Sequence, residues 1–472
     1  MAPALAPLFL AALLAVQTTP AADPAALKKS CDKGSPADCH RLAGIFARGE
    51  GVARDAAKAA SLLKKACELK LAPACLELAA AARAGDGVKK DVPRAVELYQ
   101  QACDGGLPTG CAELATMLIE GHEVERHLGR AADLLARACD GGLAHACGAL
   151  AAMYADGSPV PRDEAKAAAL FGKGCDGGDG ACCGRLAAMT LGGQGVPRDA
   201  ARALTLARKG CDAGFGPACV VLANEFVRGD GAKRDPAQAL ALFTRACDAG
   251  EASACLGVGE LLRDGTGVAR DLPRASEQFR RACEGHVGAA CQELALLLAH
   301  GRGVPRDLAR ATSLYRQACT DGDARGCLEL GRLFQHGGPV QRDLNRAVGL
   351  YEEGCAKASP GACSELARLL EVGDGLGRDL PRARTLYEKT CASGIAADCY
   401  SLGRIEFRSP AERKQAFESF NKGCAAGSAP ACHEVAAAWE AGRDLAKALA
   451  FYKKACAGGH APACVRAQKL SP

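Results

Sequence analysis

Small and apolar residues recur along this chain at i, i+3, i+4 and i+7. Cys75, Leu78, Ala79 and Ala82 show the spacing, and so do Cys111, Leu114, Ala115 and Leu118, and Cys291, Leu294, Ala295 and Leu298. That spacing marks one face of a helix, called A here. It ends at a glycine in ten consecutive units: Gly49, Gly85, Gly121, Gly157, Gly193, Gly229, Gly265, Gly301, Gly337 and Gly373. Glycine accepts the left-handed backbone of a helix C-terminus, so each is read as a stop. A short loop follows, often Gly-x-Gly-Val as at Gly301–Val304, and then Arg-Asp, as at Arg54-Asp55, Arg198-Asp199 and Arg306-Asp307. The Asp is placed to cap a second helix, B. Helix B carries Ala eight residues before the next cysteine in all twelve units, from Ala59 to Ala448. A bulky residue such as Tyr99, Phe171, Phe243, Tyr315, Tyr351, Tyr387 or Tyr452 stands four before that cysteine.

The whole pattern has a period of 36 residues, marked by cysteines from Cys31 to Cys391 and shortened before Cys424 and Cys456. Each is followed eight residues later by a second cysteine. The pairs are Cys31 and Cys39, Cys67 and Cys75, Cys103 and Cys111, Cys139 and Cys147, Cys175 and Cys183, Cys211 and Cys219, Cys247 and Cys255, Cys283 and Cys291, Cys319 and Cys327, Cys355 and Cys363, Cys391 and Cys399, Cys424 and Cys432, and Cys456 and Cys464. Cys182 is left over. The expected fold is therefore all-α: a half-helix, twelve αα-hairpins and a closing helix near Ala461–Leu470, stacked as a solenoid. No alternating strand pattern competes.

Two cysteine pairings suit such an array. One joins each C-x7-C locally; the other joins positions 28 apart, such as Cys39 and Cys67, across one hairpin. Local pairing leaves only Cys182 unpaired, whereas the hairpin alternative also strands Cys31 and Cys464, so local pairing is preferred. A zinc knuckle needs closer spacing, C-x2-C to C-x4-C, which does not occur. Cys182, beside Cys183, is read as a free thiol that has drifted into a small-residue position.

The unit A-x-x-L-[AG]…G-x-G-V-x-[RK]-D…A-x-x-L-[YF]-x-x-A resembles the Sel1-like repeat, a relative of the tetratricopeptide repeat. Cysteine pairs in two of its small-residue positions are similar to the secreted, cysteine-rich Hcp type, which is catalogued as a β-lactamase family. The resemblance covers residues 25–470. It implies a TPR-like superhelix, local C-x7-C bridges, and either partner binding or, as the alternative, penicillin binding or weak β-lactamase activity.

Composition narrows the compartment and the partner. Met1–Ala22 carries no charged side chain, has the apolar run Leu8–Val16, and ends in Pro20-Ala21-Ala22. It is expected to be a signal peptide, leaving 23–472 as the mature solenoid. Twenty-seven cysteines agree with an oxidising space, periplasmic or extracellular. The 59 Lys and Arg residues against 54 Asp and Glu leave +5, too balanced for charge-driven nucleic-acid binding. No apolar run reaches the roughly 18 residues of a membrane span.

Candidate chemistry is sparse. Ser-x-x-Lys, the core of serine β-lactam enzymes, occurs at Ser61–Lys64 and Ser419–Lys422, without Lys-Thr-Gly. The Gly-x-Gly loops follow a helix and lack a third glycine, so they are turns rather than phosphate cradles. The third unit has the loop Gly121-His122-Glu123-Val124-Glu125-Arg126-His127, read as a solvated loop with a metal or contact site as the sharper alternative. Arg332, Arg368 and Arg404 share one position of helix A in consecutive units and are candidate partner-binding residues, with Glu329 and Glu365 three residues before the first two. No catalytic residue, metal or cofactor is assigned. The reading is an exported, monomeric, disulfide-stapled scaffold for an unidentified protein or peptide, a cell-envelope component among the candidates.

Overall fold

The computed structural model of the chain describes residues 23–229, 232–373 and 377–471. The expected signal peptide, residues 1–22, lies outside them. Among the described residues there are twenty-six α-helices and no strand. A first helix, Pro24–Asp32, is followed by twelve A/B hairpins and a last helix, Ala461–Leu470, as the periodicity predicts. No described helix is long and apolar enough to cross a membrane.

Side-chain caps open most B helices, and a glycine closes most A helices. Asp55 accepts the Lys58 N–H at 2.9 Å and Asp199 the Arg202 N–H at 2.9 Å, opening helix B in their units. In the third unit His127 takes the role, its Nδ1 accepting the Arg130 N–H at 3.2 Å. Replacing such a cap by Ala costs about 1 kcal/mol. At the other end Gly85 has φ 81° and ψ 26° and returns its N–H to Ala81 O. Gly337 departs from the expected left-handed stop: its φ is 77° but its ψ is −171°. Gly338 follows at φ 127°, so two glycines share the reversal and the chain leaves extended toward Pro339.

The chain forms two compact units that divide inside the helix Gly216–Arg228. The first runs to Glu225; the second takes Phe226–Gly229 and continues from Lys233. Within each unit the hairpins stack. The Ala of helix B and the aromatic four residues later are buried between layers: Ala95 and Tyr99 in the first unit, Ala347 and Tyr351 in the second. In the Gly-x-Gly loops the second glycine serves the stack as well as the turn. Gly87 has φ +71°, and a Cβ there would lie 2.2 Å from Ala56 O, at the start of helix B in the preceding hairpin. Glycine is thus required by close approach between repeats, not only by the turn.

Candidate functional site

Each unit junction is closed by a disulfide. The first cysteine is the penultimate residue of helix B and the second is the fourth of the next helix A, as in Val92–Asp104 and Pro108–Glu120. Thirteen bridges join the thirteen C-x7-C pairs, from Cys31–Cys39 to Cys456–Cys464, with Cα atoms 4.5–4.8 Å apart. On the chain-entropy estimate a nine-residue loop contributes about 2.5 kcal/mol per bridge. Cys182 is free and buried. Its Sγ would stand 2.4 Å from a Cβ on Gly174 and 2.6 Å from one on Gly148, so both glycines make room for the sulfur. Burial pushes its thiol up to about 12, with Asp179 adding to the shift.

Cys182 occupies the position before the second cysteine, which touches the position before the first. The residues at these two positions are small in most repeats and polar in two. Ser30 Oγ donates to Asp38 Oδ2 at 2.6 Å, and Ser35 Oγ donates to the same oxygen at 2.8 Å. Thr390 and Asp398 stand at the same two positions; there Asp398 is buried and its Oδ1 accepts from Ser364 Oγ at 2.9 Å, while Thr390 Oγ1 donates back to Leu386 O at 3.1 Å and leaves Asp398 Oδ2 without a partner.

A groove of about 680 Å³ opens in the first unit, across hairpins one to three. Its wall is alanine from both helix types, including Ala59, Ala60, Ala80, Ala81 and Ala84, with Tyr99 among the lining residues. Its rim is acidic: Glu77, Asp86, Glu113, Glu120 and Glu123 against Arg54 and Arg83. Arg83 Nε donates to Glu123 Oε2 at 2.6 Å and Lys90 Nζ reaches Glu123 Oε1 at 3.0 Å, which together hold that carboxyl below its usual range. His40 Nε2 lies 2.9 Å from Glu77 Oε1, and this bond raises the imidazole above its ordinary value. Tyr99 is pushed up to about 12 by burial, with Glu113 adding to it. Glu113 itself is exposed. The loop of the third hairpin therefore supplies groove residues, His122 and Glu123, and a helix cap, His127. Periodicity alone did not reveal this groove; the signal was Ala80 beside Glu77, at the position where Arg332 and Arg368 stand beside Glu329 and Glu365.

The arginine series lies in the second unit. Arg332 Nη1 donates to Glu329 Oε1 at 2.8 Å and Nη2 to Glu365 Oε1 at 3.2 Å; Arg368 Nη2 donates to Glu365 Oε2 at 3.0 Å. Arg404 lies over the Tyr400 ring, 5.8 Å from its centroid. Two of the three guanidiniums are thus engaged by their own ladder.

The Ser-x-x-Lys matches are not placed for nucleophilic work. Ser419 is buried and its Oγ donates to Glu406 Oε2 at 2.7 Å, while Lys422 is exposed. Ser61 and Lys64 are both exposed on helix B. The one group of potential metal donors among the described residues, Cys319, Cys327 and Glu353, has both sulfurs committed to a disulfide.

No curated protein matches the chain. Among solved structures, it is similar to a protective antigen of uropathogenic Escherichia coli that displays an SLR fold. The two share 24% identity over 95% of this chain and 98% of that one, with a TM-score of 0.68. A Sel1 repeat protein from Oxalobacter formigenes matches at 26% identity over 66% of this chain and 89% of its own, TM-score 0.54. Cysteine rich protein B of Helicobacter pylori shares 29% identity over 29% of this chain and 99% of its own, TM-score 0.25. The model described as Sel1 repeat matches eleven segments: 36–71, 72–107, 108–143, 144–179, 180–215, 216–251, 252–286, 288–323, 324–359, 360–395 and 429–460. With the hairpin pattern, the caps and these eleven matches in hand, the chain belongs to the Sel1 repeat family.

Proposed function

We propose that the chain is an exported, non-catalytic scaffold, periplasmic or secreted, that holds an extended segment of a partner protein in the groove of its first unit. Residues 1–22 would be removed on export. The observation that carries the reading is the groove: an alanine wall with Tyr99 beside it, bounded by charged side chains that can fix a segment's register. Solenoid repeats present such surfaces without any catalytic group, and the stapled junctions supply rigidity that small alanine-rich layers lack. Thirteen disulfides are consistent with assembly in an oxidising space. In the second unit Arg404, resting on a ring rather than on a carboxylate, is the partner-facing cation of its series; Arg332 and Arg368 share Glu365.

Panning a random dodecapeptide display library on the oxidised protein tests this. Ala84→Trp, at an exposed groove position, fills the site without touching the core. Peptides enriched on the native protein and lost on Ala84→Trp are the expected result. Enrichment that ignores Ala84→Trp, or a turnover activity abolished by one point substitution, would overturn the reading.

A further inference from the structure

Equivalent positions of helix A carry different residues in the two units, and that difference opens the groove and shapes what fits it. Two residues after the second cysteine stand Glu77 and Glu113 in the first unit, and Glu293, Glu329, Glu365 and Glu434 in the second. Five residues after it stand Ala80 and Thr116 in the first unit; in the second, Arg332 and Arg368 accompany Glu329 and Glu365, while Leu296 and Ala437 accompany Glu293 and Glu434. Glu329 and Glu365 therefore each receive a guanidinium from their own helix, and Arg332 also spans to the next hairpin, 2.8 Å from Glu329 and 3.2 Å from Glu365; Glu293 is reached instead by Arg263 Nη1 of the preceding hairpin at 2.6 Å. In the first unit that cation is missing. Ala80 leaves its volume empty, and Thr116 turns its hydroxyl back to Ala112 O at 3.0 Å. The surrounding cations do not replace it. Arg83 and Lys90 are drawn to Glu123, Arg54 lies 3.9 Å from Asp86, and His40 holds only Glu77.

We infer that the groove accepts an arginine of the partner segment, seated over Ala80 and bridging Glu77 and Glu113 as Arg332 bridges Glu329 and Glu365. A planar guanidinium reaches two carboxylates at once; a lysine ammonium is a point charge without that fork. The alanine wall would take the small apolar residues on either side. This rests on the proposed docking groove and specifies its occupant, an arginine-bearing extended protein segment.

The test uses groove-dependent peptides from the dodecapeptide library and fluorescence anisotropy on the oxidised full-length protein. Arginine is expected at one fixed position of the selected peptides. Its replacement by Ala is expected to weaken binding about tenfold or more, the range of a charge-assisted bond. Glu113→Gln, isosteric and exposed, should remove most of that discrimination. Ala80→Arg should abolish binding by supplying the cation from within, with an unchanged circular dichroism melt showing that the fold survives. Groove-dependent peptides without an enriched arginine, or with lysine equally favoured there, overturn the arginine assignment and leave the docking groove standing. Absence of any groove-dependent peptide overturns both.

Discussion

Arg332 of the ninth hairpin reaches Glu365 of the tenth, Nη2 to Oε1 at 3.2 Å, with both side chains only partly shielded from solvent. Because solvent screens such a pair, its contribution should be small. A double-mutant cycle with Arg332→Ala and Glu365→Ala is expected to give a coupling of about 0.5 kcal/mol that shrinks in high salt. A salt-insensitive coupling several times larger would show that the ladder, rather than the apolar layers, holds these hairpins together.

Gly51 and Gly87 occupy the same loop position and share φ +71°, yet they differ in surroundings. A Cβ on Gly51 would meet nothing within 4 Å, whereas one on Gly87 would lie 2.2 Å from Ala56 O. Gly51→Ala should cost only the left-handed backbone penalty, about 1–2 kcal/mol. Gly87→Ala should cost about 1–3 kcal/mol beyond that, because the preceding hairpin must move. Urea unfolding of the two variants measures the difference, and equal costs would refute close loop stacking.

Asp38 and Asp398 share a position in their repeats but should respond to pH in opposite senses. Hydrogen bonds from Ser30 and Ser35 lower the Asp38 carboxyl, so its stabilisation is present above the ordinary carboxylate range and is lost as pH falls through the lowered value. Burial raises the Asp398 carboxyl, so its charged form opposes folding, and stability declines as pH rises through the raised value. Asp38→Ala should therefore lower Tm at pH 7. Asp398→Ala should raise stability there by about 1 kcal/mol, since alanine fills this position elsewhere as Ala74 and Ala146. Both differences should fade toward pH 3.

Cys182 should behave as packing rather than as chemistry. Its thiol is buried and pushed up to about 12, so iodoacetamide at pH 8 should leave the native protein unlabelled and label this residue alone once the chain is unfolded without reductant. Fast labelling of the native state would contradict the burial.

The helices, their caps and the hairpin count were legible from sequence because each depends on residues within one repeat. The Cys–Leu–Ala face, the stop at Gly85 and the cap at Asp55 are local facts. What escaped that reading lies between repeats. The second loop glycine touches the hairpin before it, Ser30 meets Asp38 across the junction, and Glu365 serves arginines from two hairpins. The groove belongs to the same class: Ala80 is unremarkable alone and informative only beside Arg332. Gly337 shows the limit even locally, since a neighbouring glycine changed how the chain left the helix.

A rigid scaffold of such small layers requires every junction to be closed by its own bridge in an oxidising space. Intact mass of protein isolated from its native host, before and after reduction, with nonreducing peptide mapping, tests that directly. Thirteen bridges predict a gain of two hydrogens each, peptides linked only within C-x7-C, one free thiol at Cys182, and loss of residues 1–22. A fully reduced chain that keeps those residues, or bridges such as Cys39 to Cys67 across a hairpin, would contradict it.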